Sequence, residues 1–203
     1  MDDSDKIKIV CIGDSITGWN HTSSESKRWP FKTYPEFLEE KFQSKQDFRV
    51  ANKGYEGDIS FYAKEITEKA LKKYPNAEYF IFLSGANDID ESIPEEKSAS
   101  DVAKQVSANL ESCIDLTIQN NKKPVLLSIP YAFIDAEWGS EHNLKVDECN
   151  ARLKEYCSAR RILFIDICSK LNQEHFADGL HPNEKGAEII AHEVYKTITE
   201  LKI

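Results

Sequence analysis

Four short blocks of the sequence contain the residue types that nucleophilic catalysis requires. They begin at Gly13 (Gly-Asp-Ser), Asn52 (Asn-Lys-Gly-Tyr-Glu-Gly-Asp), Gly85 (Gly-Ala-Asn-Asp) and Asp178 (Asp-Gly-Leu-His-Pro-Asn). A serine hydroxyl is a weak nucleophile unless a base removes its proton, so Ser15 in the first block needs a partner. Taken singly, each block is also ordinary turn chemistry, because Gly, Asp, Asn and Ser dominate turns.

The last block supplies a candidate base. Asp178 and His181 stand three residues apart across a glycine, so the carboxylate can fold back and accept the Nδ1 proton of the imidazole. The Nε2 atom is then free to face the serine. A structural alternative makes Asp178 a turn former and Asn183 the N-cap of the following helix. The two interpretations are compatible.

Acyl transfer also requires hydrogen-bond donors that face the oxyanion of the tetrahedral intermediate. The second block contains Gly57, which can bring a bare backbone N–H close to a ligand. The third block contains Asn87, whose side-chain amide can donate a hydrogen bond. All four blocks follow predicted strands, and this joint arrangement is much less probable by chance than any single block.

In order and approximate spacing the four blocks resemble those of the SGNH (or GDSL) hydrolases, a family named for a Ser, a Gly, an Asn and a His. The resemblance extends over nearly the whole chain and implies a serine esterase with no metal and no organic cofactor. It implies that Ser15 is the nucleophile, that His181 is the base and that Asp178 orients this base. The implied oxyanion hole consists of the Ser15 and Gly57 N–H groups and the Asn87 side chain.

Further residues near the nucleophile are candidates for substrate binding. Within the family pattern, Gly54 is expected to be a turn residue rather than an oxyanion donor. Aromatic rings in the loops around Ser15 can line an acyl or sugar pocket, and anchoring of those loops by partly buried rings is the other explanation. The candidates are Trp19, Tyr131, Phe133 and Trp138, together with Asp14 beside the nucleophile.

The blocks need a sheet to position them, and the apolar pattern predicts one. Short apolar runs without strict alternation are typical of strands buried on both faces of a parallel sheet. The runs are Ile7–Ile12, Phe48–Ala51, Glu78–Leu83, Val125–Ile129 and Ile162–Ile167. Because helical patterns alternate with them, we predict an α/β fold with a five-stranded, mostly parallel sheet. The family resemblance implies more narrowly a flavodoxin-like three-layer α/β/α sandwich.

Apolar residues at helical spacing mark the segments between the strands. They predict helices over Pro35–Phe42 and Ser60–Tyr74, and further apolar stripes at 102–114, 149–157 and 187–198. The acidic stretch Asp88–Glu96 is expected to be a solvated loop that leads into the next helix. Ligands of open sheets bind outside the carboxyl ends of the strands. Two of the segments expected there are the loops 17–30 and 131–143.

Length, charge and cysteine usage exclude several classes of protein. The chain has 203 residues and a net charge of −9, which disfavours nucleic acid and polyanionic substrates and suits neutral esters. No apolar run is long enough for a membrane span. The absence of a linker predicts one domain over residues 1–203. The acidic start, Met1 to Asp5, lacks the basic region of a secretory signal, so we expect a cytoplasmic protein.

Five cysteines without a CxxC pair fit neither a disulfide framework nor a zinc site, and predict buried reduced thiols. Cys11 in particular is expected to be core. A metal site built from Asp178, His181 and a cysteine lacks paired ligand spacing elsewhere. The other histidines are expected to be surface or capping residues; they are His21, His142, His175 and His192.

Several functions remain open at this point. The leading one is hydrolysis of a small ester with a short acyl group, such as an O-acetylated carbohydrate. A lysophospholipase or thioesterase would use the same site, and a non-catalytic binding module would keep only the fold. A flavin or nucleotide binder is disfavoured, because the segment after the first strand is not GxGxxG. The sequence does not predict an oligomeric state.

Overall fold

The computed structural model describes residues 6–20, 29–42 and 49–200. Its five strands form one sheet in the order β2-β1-β3-β4-β5, and every neighbouring pair is parallel. The strands are β1 (Ile7–Gly13), β2 (Arg49–Gly54), β3 (Tyr79–Leu83), β4 (Lys123–Leu127) and β5 (Leu163–Ile165). The predicted α/β fold with a five-stranded parallel sheet is confirmed.

Helices cover both faces of this sheet. They are α1 (Tyr34–Phe42), α2 (Ala63–Lys73), α3 (Ala86–Ser92), α4 (Ala99–Gln119), α5 (Ala136–Arg160) and α6 (Glu184–Glu200). Helix α1 packs on α6, and α4 packs on both α2 and α5. The strand order reverses between β1 and β3, and right-handed crossovers then place the two helix groups on opposite faces. This reversal opens a crevice at the carboxyl ends of β1 and β3.

The central strands are buried on both faces, which explains why their sequences do not alternate. Side chains 9–12 of β1 are 0% exposed, and those of β3 are at most 1% exposed. Helices α4 and α6 turn apolar stripes onto the same continuous core. A single domain over residues 1–203 stays a prediction. In the described part of the chain no helix is both long and apolar enough to cross a bilayer.

The strand boundaries differ from the prediction where polar residues lie at the sheet edge. Strand β2 continues past Ala51 through polar residues to Gly54, because an edge strand needs apolar side chains on one face only; Phe48 lies outside the described residues. Strand β4 begins two residues earlier than predicted and ends before Ile129, whose N–H donates to the Asn150 side chain (2.8 Å). Strand β5 is shorter at both ends.

Two segments expected to be loops contain helix. Part of the acidic stretch Asp88–Glu96 belongs to α3, and Asp88 is 7% exposed, so a solvated loop is the wrong description. The segment 131–143 is a loop only to residue 135, because Asp135 caps α5 by accepting the Trp138 N–H. The predicted helix over 60–74 begins with one 3-10 turn, Ser60–Tyr62, before α2.

All five cysteines are free and buried, as predicted. Cys11 is 0% exposed within β1 and belongs to the core. Burial raises the pKa of its thiol to about 12. A thiol that stays protonated is a poor nucleophile, so Cys11 does not compete with Ser15 for that role.

Candidate active site

Ser15 lies in a tight turn at the carboxyl end of β1. The turn closes because the N–H groups of Thr17 and Gly18 donate to the Asp14 carbonyl, each at 3.0 Å. Gly13 is required before the turn, since a Cβ there would come within 1.9 Å of the Leu83 carbonyl oxygen of β3. The close contact of two strands therefore determines where the serine emerges.

The structure brings Ser15, His181 and Asp178 into one hydrogen-bonded row. The Ser15 Oγ and His181 Nε2 atoms are 2.9 Å apart, and His181 Nδ1 lies 2.7 Å from Asp178 Oδ2. Because a carboxylate only accepts, Nδ1 carries the hydrogen and Nε2 is left to accept from the serine. These are the distances expected of a nucleophile, its base and the group that orients the base.

The backbone between Asp178 and His181 is shaped to make this contact. Gly179 has a φ of +87°, which lets the chain reverse, and its carbonyl accepts the Phe133 N–H at 2.7 Å. The second carboxylate oxygen of Asp178 accepts the N–H groups of Leu180 and His181 at 3.0 and 2.7 Å. Both oxygens of Asp178 are thus engaged, so the imidazole is held in one orientation.

The hydrogen bonds also control the charge of Asp178. Burial acts to raise the pKa of this carboxyl, but the hydrogen bonds from the backbone and ring of His181 outweigh it. The pKa is held below its ordinary value as a result. Asp178 therefore ionises more readily than an ordinary aspartate.

The candidate oxyanion donors Gly57 and Asn87 belong to two connected segments. Gly57 has a φ of +77°, and the space that its Cβ would occupy is empty to 4 Å. The Asn87 Nδ2 donates to the Asp58 carbonyl at 2.9 Å, which uses one of its two N–H groups. One N–H stays available for a ligand. That the Gly57 and Asn87 donors point to the same position as the Ser15 N–H stays a prediction.

A buried carboxylate anchors the segment that contains Gly57. Asp88 accepts the N–H and the hydroxyl of Ser60, each at 2.7 Å, and Asn109 Nδ2 donates to the Ser60 hydroxyl at 2.9 Å. Burial raises the pKa of Asp88, and the two bonds from Ser60 counteract this rise. The acidic residue expected in solvent therefore ties α3 to the donor segment.

Asn52, the first residue of the second block, connects the turn that contains Ser15 to the end of β2. Its Nδ2 donates to the Thr17 carbonyl at 2.9 Å, and its Oδ1 accepts the Gly54 N–H at 2.9 Å. Gly54 was expected in a turn, but it is the last residue of β2. A Cβ at Gly54 would lie 2.1 Å from the Gly18 nitrogen, so close backbone packing requires the glycine.

Asp14 does not reach the cleft. It is 1% exposed and its Oδ1 accepts the Ile16 N–H at 3.0 Å, so it supports the serine turn from below. Burial raises its pKa to about 7, the bond from Ile16 opposes this rise, and the charges of Asp88 and Asp90 add to it. The expected role of Asp14 in substrate binding is therefore corrected to a structural one.

Two tryptophans, Trp19 and Trp29, form the aromatic surface of the site. Their rings stack in parallel, with centroids 5.3 Å apart and an interplanar angle of 4°. Each also contacts the His181 ring, at 5.2 and 5.1 Å. Trp29 was missed in the sequence, although it closes the same loop 17–30 that Trp19 begins. A second tryptophan in that loop was the available signal.

An open cleft of about 600 Å³ lies beside the tryptophan pair. We call it the tryptophan cleft. Its remaining lining is mixed in polarity and consists of Gly18, Asn20, Pro30, Phe31, Lys32, Thr33, Glu36 and Asn52. The volume falls within the range of small-molecule sites.

The other predicted aromatic residues have partners of their own. The Tyr131 hydroxyl donates to Asp147, and the Phe133 ring packs on Phe176 with centroids 5.2 Å apart. Trp138 lies in α5 and stacks on His142 at 4.8 Å. These contacts support loop anchoring, and none of them links the three rings to Ser15. A role of Tyr131 or Trp138 in substrate binding stays a prediction without support from these contacts.

Of the remaining histidines, two match the expected surface or capping role and one does not. His175 caps a 3-10 turn by accepting the Asn172 N–H at 3.0 Å, and His192 is exposed, as expected. His142 is 0% exposed with its Nε2 3.2 Å from Asp90, so a surface or capping role was wrong. His21 lies outside the described residues. Among the described residues, no three His, Cys, Asp or Glu side chains are grouped to hold a metal ion.

Comparison with known proteins adds a family and several structural relatives. A model of the GDSL-like lipase/acylhydrolase family matches residues 11–189, and no curated protein matches. A Mycobacterium smegmatis aryl esterase has a TM-score of 0.76 at 17% identity, covering 96% of this chain and 99% of that one. An acetylxylan esterase from Geobacillus stearothermophilus has a TM-score of 0.71 at 20% identity, covering 94% and 93%.

A third solved structure is a carbohydrate acetylesterase from Sinorhizobium meliloti. Its TM-score is 0.73 at 15% identity, and the match covers 96% of this chain and 99% of the other. At such identities the likeness establishes the fold alone.

Proposed function

Because the chain belongs to the GDSL-like lipase/acylhydrolase family and is a hydrolase of carboxylic esters, we propose that it removes short acyl groups, acetyl first, from esterified carbohydrates. The proposed catalytic residues are Ser15, His181 and Asp178. The observation that carries the proposal is the hydrogen-bonded row of these residues beside two stacked tryptophans. The row supplies the chemistry and the rings supply a surface for the sugar.

The reaction proceeds in two halves. The Ser15 Oγ attacks the ester carbonyl while His181 Nε2 takes its proton, and the negative charge on the carbonyl oxygen meets the proposed donors of Ser15, Gly57 and Asn87. The C–O bond to the alcohol then breaks, and the alcohol leaves with the proton from His181. Water repeats these steps on the acyl-enzyme and restores the serine.

Asp178 serves the reaction through its charge and its geometry. Its Oδ2 accepts the hydrogen bond from His181 Nδ1, with the two atoms 2.7 Å apart, and the carboxylate stabilises the imidazolium that forms in each half-reaction. The lowered pKa of Asp178 favours this role, because the carboxylate stays charged when the histidine becomes protonated.

The tryptophan cleft supports a carbohydrate as the alcohol part of the ester. The faces of a sugar ring carry C–H groups, which contact the electron-rich faces of aromatic rings favourably. Side chains of Asn20, Lys32 and Glu36 in the lining can exchange hydrogen bonds with hydroxyl groups. A long acyl chain would need an extended apolar channel, whereas this lining is mixed. The acetylesterases among the structural relatives agree with the proposal.

The proposal is tested with a panel of 4-nitrophenyl esters from acetate to decanoate, alongside acetylated xylo-oligosaccharides. We expect the highest kcat/KM at acetate and release of acetate from the sugars. Ser15→Ala should lower the rate by roughly 10⁴-fold or more. Ser169→Ala, at an exposed serine, is the matched control and should keep the wild-type rate.

Two results would contradict the proposal. A maximum at eight carbons or more would favour the lysophospholipase or thioesterase alternatives. Full activity of Ser15→Ala would remove the assigned nucleophile.

A further inference from the structure

A second cavity lies on the opposite side of β2 from the tryptophan cleft. Successive side chains of a strand point to opposite faces, and Asn52 lines the tryptophan cleft while Lys53 lines this cavity. The volume is about 610 Å³. Its lining comes from β2, α2 and the segment between them, and consists of Lys53, Tyr55, Asp58, Tyr62, Glu65, Ile66, Lys69, Ala70, Lys73 and Tyr74. We call it the lysine groove.

The lysine groove is locally cationic in a chain of net charge −9. Three lysines and two acidic residues line it. Lys53 and Lys73 place their amines over the Tyr74 ring at 5.7 and 5.5 Å, and neither has a carboxylate within 4.0 Å among the described residues. Two ammonium groups thus lie beside one ring, and neither is paired with a carboxylate of the described residues. A carboxylate of a ligand would supply a counter-charge.

The third lysine, Lys69, has an ion-pair partner that contributes little. Lys69 pairs with Glu65 at 2.5 Å, and both side chains are largely exposed, at 74% and 65%. Ion pairs at such exposure contribute little to stability, so Lys69 can exchange its partner for an anionic ligand at low cost.

Aromatic rings make the groove suitable for a sugar. Three tyrosines line it, and the ring of Tyr62 is exposed and meets that of Phe61 edge to face at 5.5 Å. Exposed rings of this size are unusual outside binding surfaces when they cluster. Tyrosine combines a face for C–H groups with a hydroxyl for hydrogen bonds.

The groove borders the segment that carries a proposed oxyanion donor. Gly57, a proposed oxyanion donor, lies in the chain between Tyr55 and Asp58, which both line the groove. The Tyr55 N–H donates to the Gly13 carbonyl at 3.0 Å, two residues before the serine. The Asp58 carbonyl accepts the Asn87 side chain. A chain of sugars bound at Ser15 can therefore continue over Gly57 into the lysine groove.

We propose that the lysine groove binds an acidic sugar residue, a uronic acid, of the same glycan that carries the ester. The carboxylate of the sugar pairs with the lysine amines beside Tyr74, and its ring contacts the tyrosines. This inference rests on the proposed function in one respect, that the ester is carried by a carbohydrate. It changes the expectation drawn from the net charge, because local lysines rather than the total determine which substrates approach.

The test measures binding in a Ser15→Ala background, where no ester is cleaved. Titration calorimetry with trigalacturonate is compared with xylotriose, a neutral control, and with inorganic phosphate. Lys53→Met/Lys73→Met removes the two charges and keeps apolar stems over Tyr74. Lys64→Met/Lys72→Met is the matched control, since both lysines are exposed on α2 and outside the lining. Thermal melts establish that each variant is folded.

We expect trigalacturonate to bind more tightly than xylotriose, and its Kd to rise at least 10-fold in Lys53→Met/Lys73→Met. The matched control should change the Kd less than 2-fold. Equal loss in both double variants would mean a general charge effect and would overturn the proposal. No binding, equal binding of xylotriose, or tighter binding of phosphate would overturn it as well.

Failure of the proposed function is seen separately. If the wild-type protein cleaves none of the esters in the panel, the reaction assignment fails. Binding of trigalacturonate that depends on Lys53 and Lys73 would still support the groove as a site for acidic sugars. Conversely, acetate release without trigalacturonate binding would support the proposed reaction and contradict the proposed acidic-sugar site in the groove.

Discussion

Two polar clusters lie at the carboxyl edge of the sheet, and they contain similar residue types in different arrangements. The Ser15 cluster consists of Ser15, His181 and Asp178. The Tyr131 cluster consists of Ser128, Tyr131, Asp147 and Asp166, around a cavity of about 260 Å³. Both have a hydroxyl and a carboxylate, and only the first has an imidazole between them.

In the Tyr131 cluster the hydroxyl groups are hydrogen-bonded to carboxylates of the same cluster. The Tyr131 hydroxyl donates to Asp147, and this bond, followed by burial, raises the pKa of the phenol to about 12. Ser128 donates to Asp166 at 3.3 Å and accepts the Cys168 N–H at 2.8 Å. Each hydroxyl faces a carboxylate directly. In the Ser15 cluster the histidine lies between the two, which is the arrangement that the proposed proton transfer from the serine requires. The difference teaches that the same residue types give a hydrogen-bonded structural cluster in one place and a Ser-His-Asp row in the other, according to whether an imidazole lies between hydroxyl and carboxylate.

The largest expected contrast comes from removing one charge in each cluster. Asp178→Asn should lower kcat for 4-nitrophenyl acetate by roughly 10⁴-fold, because the amide no longer fixes the tautomer of His181. Asp166→Asn, at an exposed carboxylate of the Tyr131 cluster, should change kcat less than 2-fold. Steady-state kinetics at constant pH measures both. Equal losses would mean that the comparison of the two clusters is wrong.

Two asparagines sharpen the comparison further. Asn87→Ala removes a proposed oxyanion donor and should lower kcat by about 10²–10³-fold, with little change in stability. The Asn150 side chain accepts the Ile129 N–H and donates to the Ile129 carbonyl, both at 2.8 Å. Asn150→Ala should instead cost about 1–3 kcal/mol of unfolding free energy and leave kcat near the wild-type value. Kinetics and urea denaturation of both variants separate the two roles.

Aromatic residues should show a smaller contrast. Trp29→Ala removes half of the stacked pair beside His181, and we expect about a 10-fold lower kcat/KM on acetylated xylo-oligosaccharides. Tyr131→Phe removes only the hydroxyl that meets Asp147 and should leave kcat/KM unchanged. A larger loss of kcat/KM in Tyr131→Phe than in Trp29→Ala would indicate that the substrate binds at the Tyr131 cluster.

The last contrast concerns stability rather than activity, and it is a pH dependence that originates beneath Ser15. The pKa of Asp14 is about 7 in the folded protein against 3.8 ordinarily, so the folded state binds more protons between these values. Each pKa unit corresponds to about 1.36 kcal/mol, so roughly 4 kcal/mol of unfolding free energy is lost as the pH rises from 4 to 7. Asp14→Asn should lack this loss. The difference in melting temperature between variant and wild type should grow from pH 5 to pH 8, and a constant difference would contradict the assignment.

The sequence predicted the parts of the molecule that depend on local pattern. Buried strands, helical stripes and the four blocks are local, and the sheet order brings the ends of β1 and β3 together once the strands exist. Gly57 and Asn87 were proposed as oxyanion donors in this way, and that role stays a prediction. The contact between Ser15 and His181, 166 positions apart in the chain, followed from the family resemblance rather than from spacing.

The features that were missed depend on partners across space. Asp88 reads as a solvent-exposed acid until Ser60 is seen to satisfy both of its oxygens. His142 reads as a surface residue until α5 carries it against Asp90. Tyr131 and Trp138 have the right residue types for a pocket but have other partners. Residue type is local information, whereas the choice of partner is made by the packing of distant elements.

The five buried thiols have a practical consequence. The cysteines are spread over four elements: Cys11 lies in β1, Cys113 in α4, Cys149 and Cys157 in α5, and Cys168 in the turn after β5. Burial raises the pKa of four of them to about 12 and that of Cys113 to about 11. An alkylating reagent can react only after the surrounding element opens. The rate at which each thiol is modified in native buffer therefore reports the opening free energy of its element, with no label or substitution introduced.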